Sequence, residues 1–296
     1  MNKVSTLNTI PAAPKRPQRN SRSFVDQLLR VGIYVFLAAS ALVVVYPFIM
    51  MVLTSFKPQG EITASPFSLF PQQITFQNYQ TIWTRIPFGL YFRNSIIYSV
   101  AVTVLSLTFD SMCAYALARL HFRGREILFL VILATMMVPG QVTMIPLFIN
   151  LAHLGWINTF QGLIVPHITS AFGIFLLRQF FLGIPSELED AARIDGASEL
   201  RIFAQIILPL SQTALATLFV FHFMYNWNDF LWPLIITKSQ AMRTLPTGLA
   251  LFMGDHNVEY GLLMAGAVIS AAPLLIAFLF AQKYFIRGIA FTGSKE

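Results

Sequence analysis

Six apolar runs recur along this chain, at Val31–Leu53, Asn94–Leu117, Ile127–Ile149, Gly162–Phe181, Thr213–Thr237 and Leu262–Ala281. Each is near the roughly 20 residues a helix needs to cross a hydrocarbon core. Lipid offers the backbone no hydrogen-bond partners, so such runs must satisfy their own N–H and C=O groups as helices. The expected fold class is all-α: a polytopic integral membrane protein with about six transmembrane helices. Composition agrees, with 11% charged residues and mean hydropathy +0.65, against about 25% charged residues in soluble domains. Pro139, Gly140 and Pro146 predict a kink or break in the third run. Asn226, Trp227, Asn228 and Asp229 interrupt the fifth before Trp232 and Pro233.

Orientation follows from Lys and Arg, which favour cytoplasmic segments. With the amino terminus inside, fifteen of the twenty fall on cytoplasmic segments, and both termini are cytoplasmic. The first apolar run is too long for a signal core and no small-residue cleavage pattern follows it, so it reads as a retained span. The expected organisation is a disordered basic cytoplasmic tail over 1–23, a first transmembrane helix over 24–54, and an extracytoplasmic loop over 55–91. A five-helix core over 92–282, with a cytoplasmic loop at 183–210, and a cytoplasmic tail over 283–296 complete it. Aromatic residues of the outer segment (Phe67, Phe70, Phe76, Tyr79, Trp83) suit interfacial anchoring or docking of an external partner. The net charge of +7 is placed as membrane orientation requires, which argues against nucleic-acid binding. The lone Cys113 excludes an internal disulfide and a cysteine-based metal site.

The loop from Gly183 to Pro209 is longer than a simple connection needs. Ser186 with Glu189 three residues on forms a capping-box pattern, Gly196 supplies a helix stop, and Ser198 is placed to cap a second helix. Leu200, Phe203, Ala204 and Ile207 would give that helix one apolar face, ended by Pro209. The expectation is a cytoplasmic helix–turn–helix carrying Glu187, Glu189, Asp190, Asp195 and Glu199 against Arg193 and Arg201. Such acidity is unfavourable beside an anionic leaflet. It suits either a protein partner or a solvated surface hairpin.

Asp190-Ala191-Ala192, then Gly196, then Ile206-Ile207-Leu208-Pro209 resembles the EAA motif of ABC-importer permeases, and the spacing fits throughout. Asp195-Gly196-Ala197, Asn226-Trp227-Asn228-Asp229-Phe230, Leu245-Pro246-Thr247-Gly248-Leu249 and Tyr284-Phe285-Ile286-Arg287-Gly288 are similar to the carbohydrate-importer branch related to maltose permease subunits. The resemblance runs from about Tyr46 to the carboxyl terminus. It departs at Asp190, where the family usually has Glu, and near Thr213, where a proline is often found. It implies a bacterial-type inner-membrane permease that pairs with a second, different permease subunit. An extracytoplasmic solute-binding protein would deliver the solute, and cytoplasmic ATPase subunits would use ATP and Mg while this chain binds no cofactor. The coupling loop it implies comprises Glu189, Asp190, Ala191, Ala192, Asp195, Gly196, Ile206, Leu208 and Pro209. No Gly-x-x-x-x-Gly-Lys-Ser/Thr loop, His-Glu-x-x-His pair or nucleophile triad is found in the sequence, so no catalytic or metal site is expected.

Asp110 stands about 13 Å of helix from Arg119, near mid-depth of the membrane. An ionisable residue there faces the protein interior or a watery cavity. It could pair structurally or act on the solute. Gln141, Asn226, Trp227, Asn228 and Asp229 are the other pathway candidates, with Trp227 able to stack on a sugar or to serve as an interfacial anchor. The alternative function is an ion-coupled secondary transporter, which would need intramembrane ion ligands and often internal repeats. Asp110 is the one clear mid-span charge and no convincing repeat is seen.

Overall fold

The computed structural model describes residues 24–66, 68–254 and 258–292. The tail over 1–23, Phe67 and the last four residues lie outside them. The chain divides into two units, Met1–Ile49 and Met50–Glu296. Helix α1 (Phe24–Ser55) accounts for the described part of the first unit. Its Leu28, Leu29, Val31, Tyr34 and Leu37, which together encircle the helix, are all exposed, the all-round apolar pattern of a membrane span.

The second unit is helical, and its described residues contain no β-strand; an isolated bridge joins Met253 and Val258. The segment expected as an outer loop is folded. It contains α2 (Gln59–Ala64) and α3 (Gln77–Arg85). Asn78 Nδ2 donates to the carbonyls of Ser55 and Lys57 at 2.9 Å each. The ammonium of the buried Lys57 donates to Ser68 O and, at 2.9 Å, to Ser68 Oγ.

Helix α4 (Phe88–Arg119) is the central post. α5 (Arg125–Thr135) and α6 (Gly140–His153) form the third apolar run, bent by 97°. The break falls where Pro139 lacks the N–H a continuous helix needs. α7 (Phe160–Ile164) and α8 (Ala171–Leu182) make up the fourth span. α9 (Glu187–Ile194) and α10 (Glu199–Ile202) form the hairpin. A π-turn over Phe203–Ile207 and the short α11 (Leu208–Leu210) then lead into α12 (Gln212–Trp227). α12 stops at Trp227, so the fifth run is not one helix; α13 (Leu231–Ile236) is separate and packs against α7. Asp229 explains the stop: its Oδ1 accepts from Trp232 N at 3.4 Å at the start of the new helix, where a carboxylate is favoured. α14 (Leu245–Leu249) and the long α15 (Tyr260–Thr292) complete the chain. The segment expected as a tail from residue 283 continues α15 as far as Thr292.

Among the described residues, four helices are long and apolar enough to cross a membrane, and up to six spans result if each bent pair counts as one. α4 packs against α8 and α12, and α12 against α15. Buried clusters follow α4 from end to end. Phe88 and Tyr91 pack with Phe223, Trp227 and Leu249 near its start. Tyr98 and Val102 meet Leu163 and Trp232 in the middle, and Ala114 and Tyr115 meet Phe181, Ile202 and Ile207 near its end. In lipid such contacts act through close packing more than through escape from water.

Candidate functional site: a helical hairpin and a cavity beside Asp110

Gly196 has φ +81°, the left-handed conformation that lets the chain reverse after α9. Ser198 caps α10, its hydroxyl accepting from Arg201 N at 3.4 Å. The expected capping box at Ser186 does not form: Ser186 makes no side-chain cap bond. Glu189 is drawn away because a stronger partner is within reach. It is buried, 1% exposed, with Oε1 2.8 Å from Arg119 Nε. That approach is outside hydrogen-bonding angles, so it is an ion pair held by charge. Arg119 also donates to the carbonyls of Phe181 and Ile184, just at and beyond the end of α8; Phe181 O already accepts from Ile184 N at 3.0 Å, so Arg119 is its second donor.

A second arginine ties the hairpin to itself. Arg193 Nε donates to Glu199 Oε1 at 2.8 Å, and its other nitrogens reach Asp190 Oδ1 at 2.9 Å and Glu189 Oε2 at 3.3 Å. Glu199 Oε2 accepts from Tyr115 on α4 at 2.7 Å. The Arg193 hydrogen bond, then that of Tyr115, holds the Glu199 carboxyl below its ordinary range. The chain Arg119–Glu189–Arg193–Glu199–Tyr115 therefore fastens both arms of the hairpin to the end of α4.

Past the turn, the expected apolar face is rotated. Ile202, Phe203 and Ile207 are buried, whereas Leu200 is 69% exposed and Ala204 is exposed. The π-turn shifts the register by inserting extra backbone per turn. It sits where the ring of Pro209 would crowd the carbonyl of Gln205. Asp190, Ala191, Asp195, Gly196 and Pro209 are exposed; Ala192, Ile206 and Leu208 are half-buried. Ile194 at 87% exposed and Leu200 leave two large apolar side chains on the outside of the hairpin.

About two-thirds of the way along α4, Asp110 is completely buried. Its Oδ1 accepts from Thr169 Oγ1 at 2.8 Å and from Ser170 N at 2.9 Å, and its Oδ2 lies 3.4 Å from His222 Nε2. Ser170 is the cap of α8, its hydroxyl accepting from Gly173 N at 2.9 Å. Asp110 thus secures the break between α7 and α8, and a Cβ at Gly173 would fall on its carboxylate. Beside it lies a cavity of about 450 Å³ lined by His167, Thr169, Phe172, His222, Tyr225 and Asn226 among others. Its size and its few hydrogen-bonding groups on apolar walls are those of small-molecule sites.

The pathway candidates are scattered around this point. Asn226 lines the cavity, its Nδ2 donating to His222 O at 2.7 Å, and Asp110 stands behind the wall. Trp227 does not reach it. It is 1% exposed, stacked on Phe223, edge-on to Phe92, and donates to Ser270 O at 3.0 Å, so it has no free face for a sugar. Asn228 is exposed and donates to Met224 O at 2.9 Å, Asp229 accepts from Tyr98 at 2.9 Å, and Gln141 is exposed at the start of α6. Sequence reasoning misses the roles of Arg119, Arg193, Tyr115, His222, Thr169 and Ser170. The signal for His222 is the requirement that Asp110 have a partner; Arg119 and Arg193 read from sequence mainly as orientation charges.

A family model described as the inner membrane component of binding-protein-dependent transport systems matches residues 110–291. The chain is 39% identical to the arabinooligosaccharides transport system permease protein AraQ of Halalkalibacterium halodurans, across 94% of this chain and 99% of that one. It is 36% identical to the diacetylchitobiose uptake system permease protein NgcG of Streptomyces coelicolor, across 82% of each. A crystal structure of a bacterial ABC transporter involved in import of the acidic polysaccharide alginate aligns with TM-score 0.81 and 30% identity, covering 89% of this chain and 98% of that chain. The multi-span helical architecture, the hairpin at the end of α4 and these matches lead to one conclusion: the chain belongs to the family of inner membrane components of binding-protein-dependent transport systems, and is a multi-pass ABC-importer permease.

Proposed function

We propose that this chain is one of two different permease subunits enclosing the path of an importer for a sugar or sugar-like solute. An extracytoplasmic binding protein delivers the solute, and cytoplasmic ATPase subunits dock on the hairpin and supply the force. The chain hydrolyses no ATP, and both of its termini face the cytoplasm. One observation carries the reading. The hairpin is rigidly fastened to α4 by the Arg119–Glu189 and Tyr115–Glu199 contacts, and continues through α10 and α11 into α12, whose Leu218, His222 and Asn226 line the cavity. A push on the hairpin is thereby delivered to the wall of the path as a rigid-body movement of packed helices.

Exposed Asp190, Ala191, Asp195, Ile194 and Leu200 support the docking role, since a surface with no partner gains nothing from displaying Ile194 and Leu200. Asp190 pairs with Arg193 at 2.9 Å, so its shorter carboxylate is already placed within the hairpin. The carbohydrate relatives support a sugar-type solute.

The test is the Gly196→Val replacement. A β-branched residue is strained at φ +81°, so the turn should distort while the spans remain inserted. ATP hydrolysis by the assembled complex should persist while solute uptake falls at least tenfold. Normal uptake by this variant would count against coupling through the hairpin.

A further inference from the structure

A second cleft, of about 560 Å³, opens at the other end of α4, lined by Trp83, Arg85, Tyr91, Gln240, Phe252 and Glu259 among others. α4 runs 32 residues from Phe88 to Arg119, about 48 Å of helix, so this cleft and the hairpin lie on opposite sides of the membrane. Three features make it a built site. Trp83 is 53% exposed while its ring is braced edge-on by Phe88, with ring centres 4.9 Å apart. Arg85 and Glu259 are joined at 2.9 Å across the wall. Tyr91 is completely buried, yet its hydroxyl has no hydrogen-bond partner among the described residues. The ring cannot swing toward Gly248, where even a Cβ would overlap it. A buried hydroxyl without a partner costs stability, and such a group in a cleft wall is explained by a ligand that supplies the missing partner.

We propose that this cleft is a reception site for a neutral saccharide, an inference that rests on the sugar-importer reading above. The exposed part of Trp83 offers an aromatic surface to the C–H face of a sugar ring. Tyr91, Gln240, Arg85 and Glu259 offer donors and acceptors for its hydroxyls. Neutrality follows from charge. Arg85 and Glu259 cancel each other, and among the described residues the inner cavity has no Lys or Arg in its wall and Asp110 behind it. A carboxylated or phosphorylated solute would find no unpaired cation among the described residues at either place, and a charge taken from water without a partner is strongly disfavoured.

The experiment uses the whole transporter, with its partner permease, ATPase and binding protein, reconstituted in liposomes. Import of arabinotriose, N,N′-diacetylchitobiose, trigalacturonate and sn-glycerol 3-phosphate is measured. The wild type should import a neutral member of this set. Trp83→Ala should raise KM for import about tenfold. Tyr91→Phe should raise it roughly 3- to 10-fold, the worth of one hydrogen bond. The second variant keeps the proposal testable if the first misfolds, because it removes only an oxygen that has no partner among the described residues. The concentration of binding protein that half-stimulates ATP hydrolysis should stay unchanged in both. Import with an unmoved KM in both variants overturns this inference alone, as does selective import of an anionic member. A matching rise in the half-stimulating binding-protein concentration also overturns it, making the cleft a docking surface. Import of none of the four overturns the sugar reading and this inference with it.

Discussion

Replacing Arg119 with Met should detach the hairpin from α4 without unfolding the spans. Arg119 is the partner of Glu189, whose side chain is 2% exposed, and it caps the carbonyls of Phe181 and Ile184. Removing one member of a buried ion pair costs about 3–5 kcal/mol, because the other charge is stranded. Two terms move the figure in opposite directions. Arg193 still reaches Glu189 at 3.3 Å, which reduces the cost, while the Ile184 carbonyl loses the donor Arg119 gave it and Phe181 O keeps Ile184 N, which adds a smaller amount. A local cost of about 3 kcal/mol follows, equivalent to about a hundredfold rise in hairpin opening. Amide hydrogen exchange reads it directly in the segment 186–198, where Glu189 N bonds Ser186 O at 3.0 Å and Ala197 N bonds Ala192 O at 2.9 Å. Exchange there should accelerate about a hundredfold, with the rest of α4 unaffected, and uptake should fall more than ATP hydrolysis. The Arg119→Met/Glu189→Leu double variant should recover most of the protection, since an apolar pair of similar volume avoids the stranded charge. Protection unchanged within about threefold in the single variant, or a double variant worse than the single, would refute the clamp.

Two further outcomes follow from the same contacts. Asp110→Asn keeps an oxygen for Thr169 and Ser170 and should cost about 1 kcal/mol or less, whereas Asp110→Leu strands both donors and should cost roughly 2–4 kcal/mol; thermal unfolding of the detergent-solubilised protein ranks the two. Glu199 has its carboxyl depressed by Arg193 and Tyr115, so its contribution to the hairpin is complete above the ordinary Glu value of about 4.3 and is lost as pH falls through the lower folded value. Hairpin exchange protection should therefore hold level from about pH 8 to 5 and decline only in more acidic solution, and Glu199→Gln should abolish that decline.

Much of this architecture is legible in the residues because its causes are local. A run of twenty apolar residues has one backbone solution in lipid, so most of the runs can be read as helices from sequence; the fifth is the exception, because α12 stops at Trp227 and α13 is separate. Gly196 and Ser198 act through φ and through a bond three residues away, and both do what their positions predict. The failures are also systematic. Ser186 loses its capping partner because Glu189 finds Arg119, seventy residues earlier in the chain. The apolar face after Ser198 turns because a π-turn precedes Pro209. Trp227 goes into the core because Phe92 and Phe223 meet it there.

By itself, then, the sequence determined the membrane class, the number of apolar runs, the break at Pro139, the position of the hairpin and its left-handed turn, all from periodicity, chirality and backbone hydrogen bonding. Only the tertiary structure decided which charges meet. It joined Asp110 to His222 and Ser170, Arg119 to Glu189, and Arg85 to Glu259 across a cleft whose walls come from α3, α4 and the segment before α15. These pairings join residues 60 to 174 positions apart, and no local rule specifies a contact whose geometry depends on how several helices pack.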